Sequence, residues 1–167
     1  MAQSIRHEGE NAKKRFRQLI PSSGQSLELT PDDTKVNVNG VWYSVEVKEC
    51  RANTINQVRA IKYLPLIIYD GGIWYVIPPH EVVRLVSLKS RGQHTEIPFE
   101  CANLTLSQLP THLQCQDDQL ADRVSWAIRE GQRYSSIKEA MEELLSNLIK
   151  LNEKTKFRIS EILEQYK

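Results

Sequence analysis

The sequence predicts a mixed α/β (α+β) domain that carries a C-terminal helical extension. Apolar and polar residues alternate on both sides of an Asn-Gly pair at 39–40, the mark of a β-hairpin. Around that hairpin, amphipathic stretches and short apolar runs bounded by turn residues alternate up to about Leu88. Beyond about Asp117 the periodicity is helical and carries no strand signal. With 167 residues the chain can bury one core and add a helical appendage, but hardly two full domains. Residues 1–97 therefore read as the core, 98–118, with Pro98 and Pro110, as a joint, and 119–167 as the extension.

Composition narrows the class. Apolar residues make up 40% and charged residues 26%, with 7 Gly and 7 Pro, which excludes collagen-like and disordered chains. No apolar run approaches ~18 residues and the N-terminus is polar, so no membrane span, membrane partner or secretory signal is expected. Cys50, Cys101 and Cys115 are odd in number and widely spaced, the usage of free thiols in a reducing, cytoplasmic compartment. The net charge of +1 announces no nucleic-acid partner by itself, but Arg6, Lys13, Lys14, Arg15 and Arg17 form a basic cluster near the N-terminus.

The elements follow in order. Residues 4–20 place Ile5, Ala12, Phe16, Leu19 and Ile20 on one helical face, and Pro21 stops the helix. A strand is expected at 26–29, then the hairpin at 35–48, a short helix at 54–63, a buried strand at 64–69, a turn at Asp70-Gly71-Gly72 and a strand at 73–77. Pro79 opens a helix to Lys89, because proline suits a first helical turn. The tail reads as two helices divided near 131–136, with Ile137, Met141, Leu144, Leu148 and Leu151 in steps of four and three, and Ile159, Ile162 and Leu163 resuming the stripe. Such a stripe either packs on its own domain or pairs with a second copy.

The hairpin carries chemistry. A two-residue Asn39-Gly40 loop pairs Val38 with Val41, Val36 with Tyr43 and Lys35 with Ser44, and the extended ladder sets Asp33 opposite Glu46. Alternation puts Val36, Val38, Val41, Tyr43, Val45 and Val47 on one face and Asp33, Lys35, Asn37, Trp42, Ser44, Glu46 and Lys48 on the other. Like charges directly opposed destabilise a ladder unless something compensates, and a divalent cation would do so. The same parity selects Asp33 over Asp32.

With Pro31-Asp32-Asp33 ahead of the hairpin and Glu46-Val47-Lys48 on its second strand, the chain resembles the PD-(D/E)XK nuclease superfamily over roughly residues 4–85. That group includes type II restriction enzymes, Holliday junction resolvases and some homing endonucleases. The resemblance implies a restriction endonuclease-like αβββαβ core and a Mg²⁺-dependent DNA endonuclease that hydrolyses phosphodiester bonds. Asp33 and Glu46 would hold the metal, and a glutamate of the first helix, Glu8 or by preference Glu10, would join them. Mg²⁺ binds through one or two carboxylates plus substrate phosphate. Lys48 would orient or help deprotonate the attacking water and stabilise developing charge.

Arg51, Asn53, Asn56, Gln57, Arg59 and Lys62 follow the catalytic strand and are expected to position DNA, Gln57 nearest the site, with Lys13 and Lys14 of the first helix as further contacts. The four histidines lack metal-ligand spacing. Double-stranded DNA is thus the expected partner, with nucleoid association when bound. Cutting both strands with one site per chain favours a dimer or tetramer through the C-terminal helices. Site-specific cleavage of the restriction or homing type is the first reading. A structure-specific resolvase and a non-catalytic nucleic-acid-binding protein of the same fold are the alternatives.

Overall fold

The computed structural model describes residues 9–22, 24–25, 33–89, 95, 97, 99–134, 136–147 and 153–166. Among the described residues, five helices and two sheets make up a mixed α/β protein: α1 (Glu10–Leu19), β1 (Gly24–Gln25), β2 (Asp33–Val38), β3 (Val41–Glu49), β4 (Thr54–Val58), β5 (Leu66–Tyr69), β6 (Trp74–Ile77), α2 (Pro79–Ser87), β7 (Ala102–Thr105), β8 (Gln114–Cys115), α3 (Leu120–Gly131), α4 (Ile137–Asn147) and α5 (Glu153–Gln165). The main sheet has the order β1-β2-β3-β5-β6-β8, and β4 pairs with β7 in a second, two-stranded sheet. Every neighbouring pair is antiparallel except β3 and β5.

Two apolar clusters lie on the two faces of the main sheet. Ala12, Phe16 and Ile20 meet Val36, Val45, Val47, Ile67, Trp74 and Val76, and Leu120, Val124, Ala127 and Ile128 of α3 complete that side. On the other side Leu66, Ile68, Tyr75 and Ile77 pack with α2, with Ile55 and Val58 of β4, and with Ala140, Met141 and Ile162 of the tail. The expected apolar face of the hairpin is therefore the α1 side, although Val41 and Trp42, beside the turn, are exposed.

The turn has the expected backbone. Asn39 and Gly40 sit at φ of 53° and 86°, and the Asn37 carboxamide accepts the Gly40 N–H at 3.0 Å. A β-branched side chain at that φ is strained, so Gly40→Val is expected to cost about 2 kcal/mol, a fall of roughly 6 °C in Tm by thermal melting.

Three expectations are corrected. Residues 54–63 do not form a helix: Thr54–Val58 is strand β4, and only Ala60–Lys62 makes a 3-10 turn. The ladder with β7 slips between Ile55 and Val58, where Gln57 takes φ +53° and donates its N–H to Asn103 Oδ1 at 3.1 Å. Such a bulge adds a residue to one strand, so Ile55 and Val58 both face inward although they are three apart. Residues 98–118 are no mere joint, since β7 and β8 both enter sheets. The tail is not an appendage: Met141 is fully buried in the core, and Phe99 meets Tyr166 edge-on at 6.5 Å. Its described residues are helical over Leu120–Gly131, Ile137–Asn147 and Glu153–Gln165, and the break at 131–136 stands where expected. The strand expected at 26–29 and the stripe residues Leu148 and Leu151 lie outside the described residues.

Candidate active site

Strand β3 is the centre of the site because it has β2 on one side and β5 on the other. Its antiparallel register with β2 runs Val38↔Val41, Val36↔Tyr43 and Lys35↔Ser44, and ends with Asp33 opposite Glu46. Across the parallel ladder Glu46 stands beside Leu66 and Lys48 beside Ile68. Leu66 and Ile68 belong to the α2 side, so Glu46 and Lys48 face that side. The Glu46 backbone N–H donates to the Pro65 carbonyl at 2.9 Å, which ties the residue to the segment entering β5.

Burial sets the chemistry of Glu46. Only 6% of its side chain is exposed, and Lys48 Nζ stands 3.2 Å from its Oε1. A carboxylate held away from water needs a partner of opposite charge, since an uncompensated buried charge costs several kcal/mol. Lys48 supplies that partner from two residues further along the same strand face. Its own side chain is 19% exposed, so the ammonium also borders solvent. The result is an anionic wall with a cation at its rim.

The first-helix ligand fares differently. Helix α1 packs on the Val45 and Val47 face, so Glu10, exposed in its first turn, starts from the opposite side of the sheet to Glu46. Among the described residues no group of three or more His, Cys, Asp or Glu is arranged to hold a metal ion. Glu8, Pro31 and Asp32 lie outside the described residues.

The expected DNA contacts divide. Gln57, Arg59 and Lys62 line one surface depression of about 430 Å³, together with Ile61, Thr95 and Glu100. Asn56 is exposed beside Gln57 on β4, and Lys14 is exposed on α1. Lys13 is a correction: it is 8% exposed, because it follows Ala12 on the helical face that turns toward the sheet. Arg51 donates through Nε to Glu49 Oε1 at 2.8 Å, an ion pair on the strand's own end. Asn53 is structural, since its carboxamide bonds the Ser107 hydroxyl at 3.1 Å and accepts the Ser107 N–H at 2.8 Å.

Arg15 also leaves the basic cluster. It pairs with Asp117 and lies over the Tyr69 ring at 5.5 Å, while Asp117 Oδ1 accepts the Trp74 indole N–H at 2.8 Å. The Arg15 hydrogen bond, then the Trp74 indole, hold the Asp117 carboxyl below its usual range. A lowered carboxyl pKa adds stability that is present above the unfolded value, about 4, and is lost as pH falls through the lower native value. The difference in Tm between wild type and Asp117→Asn is thus expected at pH 7 and should shrink progressively as the pH falls below about 4. A difference unchanged over that range would count against the pair.

Comparison with protein-family models, with curated proteins and with solved structures returns no match to this chain. The site is defined by its own geometry. Two of its features left no mark in the sequence: the Pro65 carbonyl that holds the Glu46 amide, and Tyr63, which takes φ +52° just ahead of β5. Neither belongs to a spacing pattern, because both depend on how the crossover from β3 returns to lie beside it.

Proposed function

We propose that the chain is a metal-dependent DNA endonuclease with a restriction endonuclease-like core, acting on double-stranded DNA at specific sites. The observation that carries the reading is the opposition of Asp33 and Glu46 across the β2/β3 ladder, with Lys48 3.2 Å from Glu46 on the same strand. The order of α1, then β1 to β3 and a parallel β5 beside β3, supports it. The route from β3 to β5 passes through β4 and a 3-10 turn instead of the helix that the αβββαβ pattern implies.

The donor set suits Mg²⁺. Two hard carboxylates at one end of a strand pair match an ion that uses one or two protein carboxylates and fills its shell with water and substrate phosphate. Asp33 and Glu46 would hold it. When bound, the ion supplies a water of lowered pKa and a Lewis acid for the phosphoryl oxygen. Glu46 contributes fixed negative charge and orientation, because its backbone amide is tied to the Pro65 carbonyl. Lys48 offers an ammonium at the rim, where it can hydrogen-bond the attacking water and neutralise charge on the phosphoryl oxygens. Gln57, Arg59 and Lys62, on the depression beside β4, would receive the DNA backbone.

Paired cuts across a duplex call for two copies. The described part of the C-terminal stripe does not offer the interface, since Ile137, Met141 and Leu144 pack on the chain's own core.

Incubation of the purified protein with supercoiled plasmid and with a four-way junction, with and without Mg²⁺, tests the reading. Mg²⁺-dependent nicking or linearisation is expected. Junction cleavage alone would favour a resolvase, and retention without cleavage would leave a binding protein.

A further inference from the structure

The two-stranded sheet has two unlike faces. Ile55 and Val58 of β4 and Ala102 and Leu104 of β7 are buried in the cluster on the α2 side, the side that Glu46 and Lys48 also face. Alternation turns the residues between them outward. Thr54 stands opposite Thr105 on that outer face. The bulge then sets two residues, Asn56 and Gln57, against one, Asn103, because the ladder passes from Ile55↔Leu104 to Val58↔Ala102. Three carboxamides thus share one rung, with Asn56 and Gln57 exposed and Asn103 half-buried.

The rung is held in place. Asn103 Oδ1 accepts the Gln57 N–H at 3.1 Å, which orients that carboxamide. At the end of the ribbon the Asn53 side chain bonds Ser107, and the Asn53 carbonyl accepts the Leu106 N–H at 2.9 Å. Gln57 holds φ +53°, a backbone that glycine takes without strain and glutamine does not, and such strain gathers at binding sites.

The outward residues Thr54, Asn56, Gln57, Asn103 and Thr105 are all polar and uncharged, so this face lacks the apolar centre on which proteins dock. Cations stand at one end of it, since Arg59 follows the bulge, and Arg59 and Lys62 line the same depression as Gln57. The Glu100 carboxylate on that depression accepts the Thr95 hydroxyl at 2.6 Å. Uncharged hydrogen-bonding groups bordered by cations complement a groove floor of base edges between phosphate walls. The major groove of DNA admits a two-stranded β-ribbon, whereas that of an RNA duplex is too narrow for side chains to read.

We propose that the outer face of the β4/β7 ribbon enters the major groove of duplex DNA and that Asn56 and Gln57 select adenine; the inference rests on the nuclease reading and supplies its site preference. A carboxamide carries a donor and an acceptor side by side, which match N7 and N6 of adenine in a bidentate pair. Rungs on one face repeat about every 7 Å, roughly two base-pair steps, so the threonine rung meets base pairs next to those the carboxamides read. Arg59 and Lys62 hold phosphate at the edge of the groove, where charge fixes position without reading sequence.

The test is selection by the full chain, without metal, from a pool of randomised duplex DNA, with sequencing of the retained molecules. The retained pool is expected to show at least a tenfold enrichment of adenine at one or two positions. In a duplex of the selected sequence, 7-deazaadenine at those positions, which lacks the major-groove N7, should weaken retention about tenfold. Gln57→Gly, whose backbone accepts φ +53°, should melt near the wild-type Tm and lose the enrichment. A retained pool with no base preference would overturn the proposal without any variant, as would a preference that 7-deazaadenine leaves intact. A preference unchanged in Gln57→Gly and in Asn56→Ala, both of wild-type Tm, would do the same. Selective retention by a chain that never cleaves DNA would sink the nuclease reading alone. Glu46- and Mg²⁺-dependent cleavage with no base preference would sink the ribbon alone.

Discussion

Glu46→Gln is expected to lower Mg²⁺-dependent DNA cleavage about 10³-fold while leaving retention of DNA in a gel shift. The substitution keeps the shape of the side chain and the backbone bond to Pro65, and removes only the charge. Asp33→Asn and Lys48→Ala should fall similarly, whereas Asp32→Ala should fall far less, because the ladder sets Asp33 and not its neighbour opposite Glu46. The stability change should be small by comparison. Breaking a fully buried pair costs about 3–5 kcal/mol, but Lys48 has 19% of its side chain in water and can rehydrate, which reduces the cost to about 1–2 kcal/mol. Plasmid nicking and thermal melting on the same preparation separate the two effects. Full cleavage by Glu46→Gln would remove the proposed site.

Deletion of residues 136–167 is expected to abolish cooperative unfolding rather than to release a working monomer. Met141, Ile159 and Ile162 are 0%, 1% and 5% exposed, and each is worth about 3 kcal/mol as a buried side chain of that size. Their combined loss is comparable to the ~5–15 kcal/mol by which a domain is stable at all. Removing the tail also uncovers Phe99, which Tyr166 meets edge-on. A sharp thermal transition in the shortened chain near the full-length Tm would show that the tail is dispensable. Met141→Ala, with an expected cost of about 3 kcal/mol, makes the same point without truncation.

The hairpin was legible because Asn-Gly forces a two-residue loop, and a loop of known length fixes every pair behind it. Asp33 opposite Glu46 follows from that alone. The bulged strand was not legible. Ile55 and Val58 are both 1% exposed and three apart, which imitates a helical step, and nothing in the letters announces that Gln57 turns left-handed between them. Lys13 misled for a related reason: charge draws attention to a residue, while its position next to Ala12 decides that it is covered. The C-terminal stripe was correctly read as apolar, yet a stripe does not name its partner. That partner is the chain's own α2 side of the sheet.

The bond from the Glu46 amide to the Pro65 carbonyl has a kinetic meaning. Hairpins close in about 1–10 μs because their strands are neighbours in the chain, whereas a parallel partner must wait for a long crossover to come round. The Asp33–Glu46 register therefore forms first, in water, and Glu46 is covered only when the 50–65 segment docks. That same amide proton is shielded by the late contact and not by the early one. Its exchange with solvent thus follows the opening of the crossover, and a single backbone hydrogen keeps time for the assembly of the site.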